Sequence, residues 1–132
     1  MTNQILVVDD DLLMHRLYQH HLERAGFQMV SAHTGRQALD LAMRQPPQAI
    51  VMDIMMPDMD GLEALRALKK NDATKNVPVI IITSNGNHLA RQESANCGAA
   101  VFLTKPFSPL QLLTEIRKVL PPPAVDSTEP KP

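Results

Sequence analysis

Aspartates stand where apolar runs stop. The segment QILVVD, residues 4–9, runs into Asp9-Asp10-Asp11, and QAIVMD, residues 48–53, ends on Asp53. VPVIIIT, residues 77–83, ends on Thr83 with Ser84 behind it, and AVFLT, residues 100–104, runs into Lys105-Pro106. Two carboxylates about 4 Å apart at an effective dielectric near 20 repel by roughly 4 kcal/mol. Such a cluster, brought into one crevice, needs a cation, a proton or a nearby lysine. Oxygen-only donors in a solvated site suit a hard ion that keeps its waters, Mg²⁺ rather than Zn²⁺, and no Cys/His set at zinc spacing occurs. A carboxylate beside Mg²⁺ and an ammonium can attack a phosphoryl group, because both neutralise charge on the transferring oxygens. That chemistry gives Asp53 a reason to end a buried strand.

The elements that must position these groups are legible as alternating patterns. Apolar runs at 4–9, 28–33, 48–53, 77–83 and 100–104 read as five strands, several apolar on both faces, as in a parallel sheet covered on both sides. Between them lie helical segments. Asp11 caps one through about Ala25, with Met14, Leu17, Tyr18, His21, Leu22 and Ala25 on its apolar face and Gly26 where a helix ends. Thr34 caps a second through about Arg44, stopped by Pro46-Pro47. Asp60 caps GLEALRALKKND; residues 88–97 form a weaker fourth helix; Ser108 caps the last, with Pro109 in its first position. Five βα units with right-handed crossovers predict a doubly wound α/β sandwich. Ligands of such sheets bind at the carboxyl ends of the strands, where the aspartates, Thr83 and Lys105 fall. Residues 1–120 read as one domain. Residues 121–132, PPPAVDSTEPKP, read as a disordered or extended tail, or the start of a linker.

Thirteen basic against 14 acidic residues leave a net charge of −1, with no electrostatic footprint for nucleic acid or an anionic membrane. The single cysteine, Cys97, forbids an intrachain disulfide and reads as a small buried hydrophobe. With no signal peptide at the N-terminus and no apolar run near the roughly 20 residues of a membrane span, a cytoplasmic protein is expected. Asp58 and Asp60 read as loop and cap residues. His15, His20 and His21 lack the i, i+4 pairing of metal ligands on one helix face and read as solvated or partly packed.

ILVVDDD, VMDIMMPDMDG, VPVIIITS and VFLTKPF, in this order and each at a strand end, resemble the receiver domain of two-component response regulators over residues 4–120. The resemblance implies a flavodoxin-like (βα)5 sandwich with strand order 2-1-3-4-5. It implies that Asp53 accepts a phosphoryl group, with Asp10 and Asp53 binding Mg²⁺ (Mn²⁺ able to substitute), the Met55 backbone carbonyl as third protein ligand and Asp9 acting through water. Lys105 then pairs with the phosphoryl group, the Thr83 hydroxyl swings towards it, and Phe102 changes rotamer with Thr83. The Lys105–Pro106 bond is expected to be cis. The donor is a histidine kinase or histidine phosphotransfer protein. The fourth-helix, fifth-strand and fifth-helix face then signals to a downstream partner or output domain.

Some positions depart from the family pattern. Phe102 is often tyrosine. AAV before it replaces an acidic pair found in one large DNA-binding subfamily, and Leu110 stands where that subfamily often has arginine. The charged dimer of that class is therefore not expected, while a phosphorylation-dependent dimer of another kind stays open. Met55 and Asn85 sit where the family tunes phosphoryl lifetime. Two other functions fit less well. Phosphatases with an aspartate nucleophile place two aspartates two residues apart on the first strand and carry a cap, whereas Asp9 and Asp10 are adjacent and no cap-length segment is present. A binding module of the same fold without phosphorylation usually lacks one of the residues found here at 10, 53, 83 and 105. The expectation is thus a phospho-acceptor signalling domain, not an enzyme acting on an outside substrate.

Overall fold

The computed structural model describes residues 4–54, 61–83, 88–105 and 107–120. Met55, Asp58, the Asp60 cap, Ser84, Asn85, Pro106 with its peptide bond, and the tail at 121–132 lie outside the described residues.

Strands β1 (Gln4–Val8), β2 (Gln28–Ala32), β3 (Ala49–Asp53), β4 (Val79–Thr83) and β5 (Val101–Thr104) alternate with helices α1 (Leu12–Arg24), α2 (Gly35–Arg44), α3 (Gly61–Lys70), α4 (His88–Asn96) and α5 (Pro109–Val119). The sheet is parallel throughout, in the order β2-β1-β3-β4-β5. The expected fold class and strand order both hold. Parallel strands cannot be joined by tight hairpins, so four helical crossovers link the five strands, and α5 completes the cover of both faces.

The side-chain period of two splits the core. Leu6, Val8, Ile50, Met52, Val79 and Ile81 face α2 and α3, packed with Ala38, Ala42, Leu65 and Leu68. Ile5, Val7, Val51, Ile80, Ile82 and Leu103 face α1 and α5, packed with Tyr18, Leu22, Leu112 and Ile116. β3 and β4 are buried along their whole length, as continuous apolar runs require, whereas β2, at the sheet edge, is mostly half-buried.

The helix starts are set by short polar side chains. Asp11 Oδ1 accepts from Leu13 N–H at 2.9 Å, Thr34 Oγ1 from Gln37 N–H at 3.1 Å and Ser108 Oγ from Gln111 N–H at 3.0 Å. Gln37 Oε1 reaches back to His33 N–H at 2.9 Å. Gly26, after α1, has φ +94°, where a Cβ would be strained. In α4 only Ser94 is buried among the described side chains, in keeping with the weak apolar pattern.

The face expected for α1 needs correction. His15, Tyr18 and Leu22 are its buried residues, while Leu17 is 44% exposed. The inward stripe follows the 15-18-22 spacing, and a histidine can occupy it because its ring nitrogen finds a buried acceptor.

Gly61 opens α3 directly against the end of β3. A Cβ built there falls on Ile54 Cα, deep inside van der Waals contact, and 3.0 Å from the Asp53 carbonyl oxygen. Both obstacles are backbone and cannot rotate away. Gly61→Ala is therefore expected to destabilise the domain by about 3 kcal/mol, the upper range for forced overpacking. Urea denaturation reads this as a lower midpoint at unchanged slope.

Candidate functional site

Register brings the polar strand ends together. Val8 pairs with Met52, so Asp9, one residue on, lies beside Asp53. Asp53 pairs with Ile82, and Thr83 with Thr104, which puts Lys105 one step past the sheet edge. Alternation decides which groups meet. Asp9 continues the parity of Val7, Asp53 that of Val51 and Lys105 that of Leu103, all of them on the α1/α5 side. Thr83 continues the parity of Ile81, on the α2/α3 side with Phe102.

Lys105 Nζ donates to Asp53 Oδ2 at 3.0 Å and lies 3.6 Å from Asp9 Oδ2. The ammonium thus bridges two carboxylates from different strands. Asp9 is 2% exposed and Asp53 7%; Asp10 is exposed. Asp9 is held at every polar atom. Its N–H donates to Ala32 O at 3.1 Å, its carbonyl accepts from His15 Nε2 at 2.6 Å, and its Oδ1 accepts from Asp11 N–H at 2.9 Å.

Burial pushes the Asp9 carboxyl above the usual carboxylate range. The Asp11 N–H and Lys105 oppose the shift, and the charges of Asp53 and Asp10 add to it. For Lys105, burial is the largest influence and lowers the pKa. The hydrogen bond to Asp53 and the charges of Asp53 and Asp9 together outweigh it and hold the ammonium above its ordinary range.

The Asp9 shift is a stability statement. A carboxyl with a raised folded pKa binds its proton more tightly in the native state than in the unfolded chain. Stability is therefore lost as pH rises through the window from the unfolded value, about 3.9, to the raised one, and the penalty is complete above it. Asp9→Asn is accordingly expected to melt a few degrees above wild type at pH 7 in EDTA. The gain should vanish below about pH 4, where both proteins are neutral at this position.

Thr83 is fully buried, and its carbonyl accepts from Lys105 N–H at 2.8 Å. Phe102 is half-buried against the α2/α3-side cluster, and the Arg91 guanidinium of α4 lies 4.9 Å from its ring centroid. Tyr18 sits below the site, 4% exposed and stacked on Phe107 at 6.4 Å. Burial first, and then the charges of Asp9, Asp53 and Asp11, push its hydroxyl pKa upward.

The structure thus joins Asp9, Asp53 and Lys105 directly, places Asp10 and Thr83 at the same edge, and puts Phe102 on the far face. Sequence reasoning missed His15. The buried ring lies edge-on to His33, with centroids 4.5 Å apart, so it is neither solvated nor partly packed. The 15-18-22 spacing carried the signal. Cys97 is half-buried against the α2/α3-side cluster rather than fully enclosed.

The donors available suit a hard cation. Asp9, Asp10 and Asp53 offer only oxygens, one of them solvent-facing, and the buried Asp9 carboxyl with its raised pKa is a group a positive charge would stabilise. Among the described residues no three His, Cys, Asp or Glu side chains converge on one metal position. A set of Asp10, Asp53 and the Met55 carbonyl has only two such side chains.

The family model for the response regulator receiver domain matches residues 5–117. The chain belongs to the response regulator receiver family.

This receiver domain is 35% identical over 120 residues to the transcriptional regulatory protein SrrA of Staphylococcus aureus, an alignment covering 91% of the chain and 48% of SrrA. The chain thus spans about half the length of the curated relatives it matches. Among solved structures, the chemotaxis response regulator CheY4 of Vibrio cholerae superposes with TM-score 0.85 at 32% identity, covering 91% of this receiver and all of CheY4. The signal receiver domain of a histidine kinase from Syntrophus aciditrophicus superposes with TM-score 0.82 at 27% identity, covering 99% of this receiver and 96% of that chain. No helix among the described residues is long and apolar enough to cross a membrane.

Proposed function

We propose that this receiver is a phosphorylation-controlled switch with Asp53 as its acceptor. The observation that carries the reading is the Lys105 ammonium, 3.0 Å from Asp53 and 3.6 Å from Asp9, at the carboxyl edge of a receiver-family sheet. One Asp53 carboxylate oxygen attacks phosphorus of a phosphohistidine. The P–N bond breaks, its electron pair leaves with the imidazole, and an aspartyl phosphate remains. Asp10, Asp53 and the Met55 carbonyl would hold Mg²⁺, with Asp9 reaching it through water; bound there, Mg²⁺ neutralises charge on the phosphoryl oxygens. Lys105 supplies a preorganised positive charge on the same oxygens. Water attack on the aspartyl phosphate returns the free carboxylate, so the domain assists its own phosphorylation and dephosphorylation without turning over an outside substrate.

A two-component partner follows from the family: a histidine kinase, or a histidine phosphotransfer protein in a relay. Leu12 and Leu13 in the first turn of α1, just after Asp9 and Asp10, are 65% and 73% exposed and offer such a partner an apolar surface beside the site. The response is read on the face of α4, β5 and α5. Thr83 moves towards the new phosphoryl group, Phe102 follows, and the ring leaves the Arg91 guanidinium. This face acts on a downstream protein or an output domain. The mixed charge of the domain favours neither nucleic acid nor membrane as its own ligand, and the kinase or phosphotransfer partner proposed here implies a cytoplasmic setting.

Intact mass spectrometry after incubation with acetyl phosphate and Mg²⁺ tests the reading. One added phosphoryl group, mapped to the peptide containing Asp53 and absent with EDTA, is the expected result. No adduct, together with no tight beryllofluoride binding, would leave a constitutive binding module.

A further inference from the structure

Asp10 is the least restrained of the site carboxylates. It is exposed, and its carboxylate makes no hydrogen bond among the described residues. Its placement therefore comes through the backbone. The peptide between Asp9 and Asp10 is planar, so fixing the Asp9 carbonyl oxygen also fixes the direction of the Asp10 N–Cα bond. That oxygen is held by one side chain, His15, at 2.6 Å. The acceptor is a carbonyl, so Nε2 is the donor. His15 is 5% exposed, and its ring cannot swing freely because His33, just past β2, lies edge-on at 4.5 Å. Nδ1 of each histidine is buried with no hydrogen-bond partner among the described residues. The Nε2 bond to Asp9 is therefore the polar contact that justifies burying the His15 ring here.

We infer that His15 is a positioning residue for the cation site, its Nε2–H holding the Asp9–Asp10 peptide so that the Asp10 carboxylate faces Asp53. The inference rests on the Mg²⁺ reading above. It adds a residue of α1 and, through His33, the end of β2 to the groups that set cation affinity.

The test is Mg²⁺ titration of the full chain by calorimetry, with folding of each variant checked by thermal melting in EDTA. His15→Phe keeps a ring against His33 and removes the donor; His15→Gln keeps an N–H donor. The expected result is Mg²⁺ binding about tenfold weaker in His15→Phe, as for lost outer-shell contacts, and restored to within about twofold of wild type in His15→Gln. Equal affinity in wild type and His15→Phe would overturn the inference while leaving the Mg²⁺ reading intact. Equal weakening in the Gln and Phe variants would overturn the donor role. No Mg²⁺ binding by wild type would remove the underlying reading and this inference with it. A second measurement needs no variant. In ¹⁵N NMR of wild type the His15 Nε2–H should be visible, protected from exchange and shifted at Mg²⁺ saturation. A rapidly exchanging or Mg²⁺-insensitive signal would overturn the inference even if the Phe variant failed to fold.

Discussion

Asp53→Asn is expected to gain no phosphoryl mass under conditions that convert wild type completely. The amide has nearly the shape of the carboxylate and can still accept from Lys105, so the Lys105 contact persists. What disappears is the anionic oxygen that forms the bond to phosphorus. Removing a nucleophile costs far more than removing a group that assists it, so the rate should fall by more than about a thousandfold. The fold should survive. Asp53 sits at the end of β3, where the core residues below it are apolar and unchanged. Removing its charge also relieves repulsion with Asp9, so the variant should melt no lower than wild type. An adduct forming at a comparable rate on Asp10 or Asp9 in this variant would show that the acceptor had been misassigned.

Lys105→Met should slow adduct formation from acetyl phosphate by about 10²–10³-fold, the scale seen when one preorganised donor to a developing oxyanion is lost. Methionine keeps much of the apolar stem, so packing around the strand end is largely preserved. Lys105→Arg should recover only part of the rate, because a planar guanidinium cannot place a compact charge between Asp53 and Asp9. The pH profile is part of the expectation. With its pKa raised, Lys105 contributes stability that is complete below its unfolded value, about 10.4, and is lost as pH rises through the higher folded value. No break assignable to this ammonium should therefore occur in the phosphorylation rate below about pH 10. A time course of intact mass for the three proteins decides it, and a wild-type rate in Lys105→Met would sink its role.

The strand-helix alternation was legible because each element carries its own local signal. β3 and β4 are apolar on both faces, and Thr34 and Ser108 are caps whose oxygens reach the backbone three residues on. Asp53, Thr83 and Lys105 could be located at strand ends for the same reason: a strand's length and the polar residue that stops it are contiguous in the chain. Family resemblance then supplied roles that periodicity does not contain.

Which of these groups touch was decided by the tertiary structure. Lys105 and Asp53 are 52 residues apart, and their 3.0 Å contact depends on the sheet order and on the registers among β3, β4 and β5. A slip of one residue in β5 would turn Lys105 to the opposite face. The burial of His15 was only half legible locally: the 15-18-22 spacing allows it, but histidine satisfies a polar or an apolar reading of a helix face. Its inward place follows from the Asp9 carbonyl standing within reach as an acceptor at the end of a different element, β1. Gly61 shows the same division. The sequence placed it at the start of a capped helix, but only the approach of Ile54 and Asp53 backbone explains why no side chain fits there. Local chemistry wrote the elements and their polar ends; long-range pairing, with its fixed period of two, chose which ends share a site.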